Sequence, residues 1–309
     1  MNEQLVEKFF EDGVPENVKN RVIDVLVLPD FSSDDEALKI RVIVDELIPN
    51  SLIENAGTFP SSFDGYPVEV FDSTPVYPAM NKETRRSPGA RYHEILRPGI
   101  ACGGRGTTNG TLGAIVFDLK NGGAPCVLSN YHVLRGKPLL FRGRTNDVFQ
   151  PGKLIGGTPS KNVIANFQRS AGQNIDAAIA TLNLTRTFEP TVFPTNVQFL
   201  GPRIPKIGDI LEKSGSRTGV TRAEVASVSN KRVQLVPVGG DRYDAPEISM
   251  SGDSGSVWYY PETGEAAVLH AYGDDDGASN VETAGGYLMT RVIEALNISL
   301  LPPTNNNST

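Results

Sequence analysis

The sequence predicts a mostly β protein, a sandwich or barrel of short strands behind a small α+β module. Three observations predict it. Among 309 residues there are 31 glycines and 22 prolines with 39% hydrophobic residues, a composition that suits turn-rich β structure better than a helical bundle. From Gly103 onward, short β-branched runs recur between glycine and proline punctuation. Ahead of them, one amphipathic stretch and three β-branched runs read as a separate mixed unit.

The elements follow in order. Leu5, Val6, Phe9 and Phe10 fall on one helical face, and Gly13 and Pro15 end that short helix. Residues 21–28 and 38–44 read as two strands separated by the polar loop 32–36, residues 48–59 as a helix or turn, and residues 65–72 as a third strand. Residues 1–72 therefore form the N-terminal α+β module. Between 73 and 98, Pro75, Pro78, Pro88 and Pro98 stand among lysine and arginine residues, which predicts a linker or an extended wrap. His93 and the Arg85-Arg86 pair are expected to be exposed there. Arg85-Arg86 would also suit a processing protease, although a solvated linker explains it as well.

Beyond it, residues 111–117 and 126–130, joined through Asn121-Gly122-Gly123, predict a hairpin. Further strands are expected near 139–141, 153–156, 163–168 and 177–182, then a connection over 186–206. Strands at 210–214, 219–229, 232–237, 256–260 and 266–272 follow. Residues 286–296 have helical spacing, and 301–309, rich in proline and asparagine, read as a disordered tail.

The formal net charge of −7 argues against a nucleic-acid partner, whose phosphates call for a basic surface. Residues 1–12 are acidic and lack the apolar core of a signal peptide, and no run approaches the ~18 apolar residues of a membrane span. A cytoplasmic protein is expected. In that setting Cys102 and Cys126 are expected as free buried thiols. The scattered His93, His132 and His270, with no paired cysteines, offer no zinc cluster.

Chemistry concentrates in Ser251-Gly252-Asp253-Ser254-Gly255-Ser256. A serine hydroxyl attacks an amide only when a neighbouring base takes its proton. The flanking glycines permit a tight turn in which the N–H groups of Gly252 and Ser254 face a developing oxyanion. For the base, His132 is the best placed, closing the strand-like run 125–134. For the orienting acid, Asp176 heads the otherwise apolar run Ala177-Ala178-Ile179-Ala180. His132, Asp176 and Ser254 follow one another at gaps of 44 and 78 residues.

In that order, these three segments resemble the chymotrypsin-like (trypsin-fold) serine proteases. The match is similar to a bacterial branch related to the Nal1-like proteases of plants. It is carried by Gly110-Thr111-Leu112-Gly113-Ala114-Ile115-Val116, Leu128-Ser129-Asn130-Tyr131-His132-Val133-Leu134 and Lys213-Ser214-Gly215-Ser216-Arg217-Thr218-Gly219. Tyr131 departs from the smaller or more polar residue expected at its place.

The resemblance implies a protease domain over 99–300, made of two antiparallel β-barrels with the active site between them and a C-terminal helix packed outside. It implies a serine endopeptidase acting on protein or peptide through an acyl-enzyme, with no metal or cofactor. It also places Ile248, Ala271, Tyr272 and Gly273 around the substrate side chain. Ile248 stands where trypsin-type enzymes carry the acid that selects lysine or arginine, so an apolar or small P1 residue is expected. Asp274-Asp275-Asp276 is read as a solvated loop, and His270 and Trp258 as packed residues. No activation terminus of the Ile-Val-Gly-Gly type is visible, which leaves Asp253 without an assigned partner. The N-terminal module would then serve regulation or a partner protein. The other readings of the same residues are a catalytically quiet peptide-binding protein and an esterase.

Overall fold

The computed structural model describes residues 5, 8–15, 22–29, 38–44, 59–72, 87–104, 109–135, 146–152, 162–172, 174–239, 246–273 and 282–303. Outside them fall the strands expected near 139–141 and 153–156, Arg85-Arg86, the Asp274-Asp275-Asp276 run, most of the 48–59 segment and residues 304–309.

In the N-terminal module, the described part of the expected helix closes in a π-helical turn, Phe9–Gly13. Gly13 permits it, because a Cβ there would stand 2.6 Å from the Phe9 ring. The strands are β1 (Val22–Pro29), β2 (Leu38–Val44), β3 (Ser62–Phe63) and β4 (Tyr66–Asp72), ordered β1-β2-β4-β3. β1 runs antiparallel to β2, whereas β2 and β4 are parallel. Phe9, Val14, Val25, Ile40 and Val42 form the core, with Phe63 edge-on to Phe9.

Residues 87–98 form a wrap. The Leu96 N–H donates to the Thr187 carbonyl, the Glu189 N–H donates to the Leu96 carbonyl, and the Leu96 side chain enters a core. His93, expected to be exposed, is half-buried by this wrap, with Nε2 3.0 Å from the Pro88 carbonyl and its ring edge-on to Phe193.

The first barrel, a half-barrel whose end strands do not pair among the described residues, begins with β5 (Ala101–Gly104), β6 (Gly110–Thr111), β7 (Ala114–Asp118) and β8 (Ala124–Ser129), followed by a one-turn helix, α1 (Tyr131–Leu134). It continues with β9 (Asp147–Phe149), β10 (Val163–Ser170) and β11 (Ala178–Leu182). The β7–β8 hairpin closes through left-handed Gly122 and Gly123, as the glycine pair predicts. β11 lies between β8 and β10, and burial of both its faces explains its nearly unbroken apolar sequence.

The second barrel contains β12 (Gly201–Pro202), β13 (Ile210–Gly215), β14 (Gly219–Val228), β15 (Arg232–Pro237), β16 (Val257–Tyr259), β17 (Glu265–Gly273) and β18 (Ala284–Leu288). The ring β17-β16-β13-β14-β15-β18 closes by direct pairing of β17 with β18. The helix expected over 286–296 begins later, as α2 (Met289–Leu296), because the segment before it is strand. Gly285 and Gly286 make that strand possible. A Cβ on Gly286 would stand 2.0 Å from the Leu269 carbonyl oxygen, and one on Gly285 2.4 Å from the Tyr272 ring. After α2, β19 (Ile298–Ser299) returns to the first barrel and pairs with β7.

Each barrel has its own core, and a further apolar cluster joins them. In it, Ala114, Val116, Leu128 and Ile179 of the first barrel pack with Val257 and Leu269 of the second. This seam sets the spacing of the two barrel rims. The site lies there.

Candidate active site

Asp176 and His132 meet because β8 and β11 are paired. The register aligns Ser129 with Ala178, so the residues just beyond Ser129 lie beside those just before Ala178. His132 is carried by α1, rather than by the strand end that the sequence predicts. Its Nδ1 is 2.5 Å from Asp176 Oδ2, and its backbone N–H donates to Asp176 Oδ1 at 3.1 Å. Asn130 fixes the acid from behind, its Nδ2 donating to the Asp176 carbonyl at 2.6 Å. Burial pushes the Asp176 carboxyl up, but the His132 charge and hydrogen bonds from His132 and Tyr131 outweigh it and hold the pKa below the usual value. An ionised Asp176 keeps the proton on Nδ1 and leaves Nε2 able to accept another. Tyr131 does not obstruct this, since its ring packs edge-on to Phe167.

The Ser254 turn is strapped to the same rim. Left-handed φ angles of +111° at Gly252 and +90° at Gly255 make the turn. The Thr111 N–H donates to the Ser254 carbonyl at 2.8 Å, and the Gly255 N–H donates to the His270 carbonyl at 2.9 Å. A Cβ on Gly255 would stand 2.0 Å from Ser129 Oγ, so the turn lies against the residue three before His132. Ser254 itself is buried. The Gly252 carbonyl is turned inward, accepting from Thr111 Oγ1 at 2.9 Å and Ser216 Oγ at 2.8 Å.

The residues expected around the substrate side chain are placed unequally. Ile248 packs into the second-barrel core and is almost fully buried. Ala271 is also buried, while Tyr272 and Gly273 are half-buried at the end of β17. His270 and Trp258 are packed, as expected. Burial and the Lys213 charge push the His270 pKa down to about 3, leaving a neutral ring whose Nδ1 accepts from the Trp258 indole at 3.4 Å.

Cys102 and Cys126 are free, and burial pushes their thiols up to about 12 and about 11, which keeps them protonated and poor nucleophiles. Among the described residues no three His, Cys, Asp or Glu side chains gather as a metal site, and no helix is long and apolar enough to cross a membrane.

Sequence reasoning missed three supporting groups. Asn130 holds the Asp176 carbonyl, Tyr287 meets the Asp176 backbone with its phenol, and Lys213 pairs with Asp253. The run 213–219 was the visible signal for the last of these.

No protein-family model matches the chain, and no curated protein matches it in sequence. Solved structures do match in fold. A glutamic-acid-specific serine protease that uses a histidine triad in substrate binding superimposes with a TM-score of 0.51 at 16% identity, over 67% of this chain and 100% of its own. An alpha-lytic protease homologue, N4, superimposes with a TM-score of 0.50 at 14% identity, over 67% and 100% respectively. The fold is that of the chymotrypsin-like serine proteases. This likeness is one of fold alone, while the chemistry rests on the residues described above.

Proposed function

We propose that the protein is a serine endopeptidase with Ser254 as nucleophile, His132 as general acid and base, and Asp176 as the carboxylate that orients His132. The observation that carries this reading is the doubly bonded His132–Asp176 pair on the rim to which the Ser254 turn is strapped. Nε2 of His132 takes the Ser254 proton as Oγ attacks the scissile carbonyl, and the N–H groups of Gly252 and Ser254 hold the oxyanion. The imidazolium then gives its proton to the leaving amine. Water, deprotonated by the same nitrogen, releases the acyl group and restores the serine. These steps need no metal or cofactor.

The finer kinship, with a bacterial branch related to the Nal1-like proteases, rests on residues 110–116, 128–134 and 213–219. The protein would work in the cytoplasm, and a regulatory partner would dock on the N-terminal module. For the substrate, Ile248 in place of an acid favours an apolar or small P1 residue, with Tyr272 and Gly273 pairing to the peptide as an added strand. A strong lysine or arginine preference in a peptide library would contradict that.

The test compares wild type and Ser254→Ala on a denatured protein and on a small ester. Cleavage of both substrates by wild type alone supports the endopeptidase. Ester turnover without protein cleavage would make the protein an esterase, and inactivity toward both, with peptide binding retained, a peptide-binding module.

A further inference from the structure

Arg232 takes no part in the chemistry above, yet it is 2% exposed and packed beside it. Ser229 sets its place. The Ser229 Oγ accepts from the Arg232 N–H at 2.9 Å and from the Lys231 N–H at 3.3 Å, closing the turn from which β15 starts. The register of β15 with β18 then puts Arg232 across from Tyr287. The guanidinium lies 4.8 Å from the centre of the Tyr287 ring and 5.4 Å from that of Tyr272, and it donates to the Tyr287 phenol oxygen at 3.2 Å.

Both tyrosines lead to the site. Tyr287 belongs to the apolar cluster between the barrels, together with Ala177 and Ile179, and its phenol meets the Asp176 backbone. Burial holds that phenol above its usual pKa, so it meets Arg232 as a neutral hydroxyl. Tyr272 lies at the end of β17, its ring over Gly285, the residue it faces in β18.

A methionine would fill the place of Arg232 without the cost of taking a guanidinium out of water. The charge supplies direction instead. A desolvated cation attracts ring faces more strongly than an exposed one, and the planar guanidinium aims an N–H at the phenol oxygen at the same time. An apolar neighbour would not orient either ring.

We propose that Arg232 is a positioning residue of the active site, holding Tyr287 against the Asp176 backbone on one side and Tyr272 in the strand that receives the peptide on the other. The inference rests on the endopeptidase reading of Ser254. It goes beyond that reading by coupling the orienting acid and the substrate strand to one side chain outside the triad.

The test uses the full chain and three variants. Arg232→Met removes the charge and is expected to fold, because a buried charge replaced by an apolar residue of similar size is tolerated. On an extended peptide its kcat should fall about tenfold and its KM rise about tenfold, each the loss of one interaction of this kind. A small ester lacks the peptide that pairs with β17, so it should show the kcat loss with KM unchanged. Tyr287→Phe removes only the hydroxyl and should reproduce the kcat loss with the peptide KM unchanged. Arg232→Lys keeps a cation over the rings and should bring the peptide KM back near that of wild type.

Amide hydrogen exchange over 174–178 and 270–273 should rise in Arg232→Met. Wild-type kinetics in that variant, equal KM rises on peptide and ester, a lysine variant as impaired in KM as the methionine one, or unchanged exchange in both stretches would overturn the proposal. If Arg232→Met does not fold, Tyr287→Phe decides: a kcat loss at unchanged peptide KM supports the proposal, and wild-type kcat overturns it. An inert wild type would instead overturn the endopeptidase reading. The exchange measurement separates the two cases, because it reads the order of both stretches without turnover.

Discussion

Trp258 donates its indole N–H to Nδ1 of His270 at 3.4 Å, beneath the turn that carries Ser254. The bond uses the lone pair a proton would need, and burial with the nearby Lys213 charge keeps the ring neutral in the fold. Unfolded, the same imidazole binds a proton below its ordinary pKa of about 6.5. Because the unfolded chain then binds more protons, the contribution of His270 to stability is fully present above that value and is lost as pH falls toward about 3. The expected loss is about 1.4 kcal/mol per pH unit across most of that window. Denaturant unfolding at pH 7.5, 6 and 5 should show this slope in wild type and a shallower one in His270→Gln, whose side-chain oxygen can still accept from Trp258.

In the proposed mechanism Asp176 works through the tautomer of His132. In Asp176→Asn the amide can present its N–H₂ to Nδ1, favouring the tautomer with the proton on Nε2, where it cannot take the Ser254 proton. A kcat loss of about 10³–10⁴-fold with little change in melting temperature is expected. Steady-state kinetics beside circular dichroism checks both halves.

Gly255 is a geometric requirement of the turn. Its φ of +90° and the Ser129 Oγ lying 2.0 Å from any Cβ mean that Gly255→Ala must displace the Ser254 turn. Loss of activity is expected, with destabilisation of about 2 kcal/mol or more from backbone strain and overlap. Thermal unfolding of the alanine variant and its reactivity toward a small ester measure the two effects.

Arg169 fastens α2 to the first barrel. Its guanidinium grips Asp118 with two 2.6 Å bonds and donates to the Leu296 carbonyl at 2.5 Å, while the Asp118 side chain is 0% exposed. Arg169→Leu should cost about 3 kcal/mol, since it leaves a buried carboxylate without its cation. The hydrogen-bonded guanidinium holds the Asp118 carboxyl below its usual range. This stabilisation is therefore present above the unfolded pKa near 4 and is lost as pH falls through the folded one. Melting curves of both proteins should converge at acid pH.

Much of this was legible in the sequence where local pattern decides structure. The β7–β8 hairpin followed from a glycine pair between β-branched runs, and β11 from the apolar run behind Asp176. The short strands β5, β6, β9 and β19 were not, because two to four residues carry too little periodicity to read. The onset of α2 was placed early because Gly285 and Gly286 are chosen by contacts with β17 rather than by local propensity. Lys213 was missed for a similar reason. It meets Asp253 forty residues away in sequence, through the folding of β13 beneath the Ser254 turn.

The most direct test of the central claim is mass-spectrometric labelling with a fluorophosphonate, followed by peptide mapping. One adduct per chain on Ser254, absent in Ser254→Ala and strongly slowed in His132→Ala, is the expected result. A folded wild-type protein that takes up no label, or labels on another residue, would contradict Ser254 as an activated nucleophile.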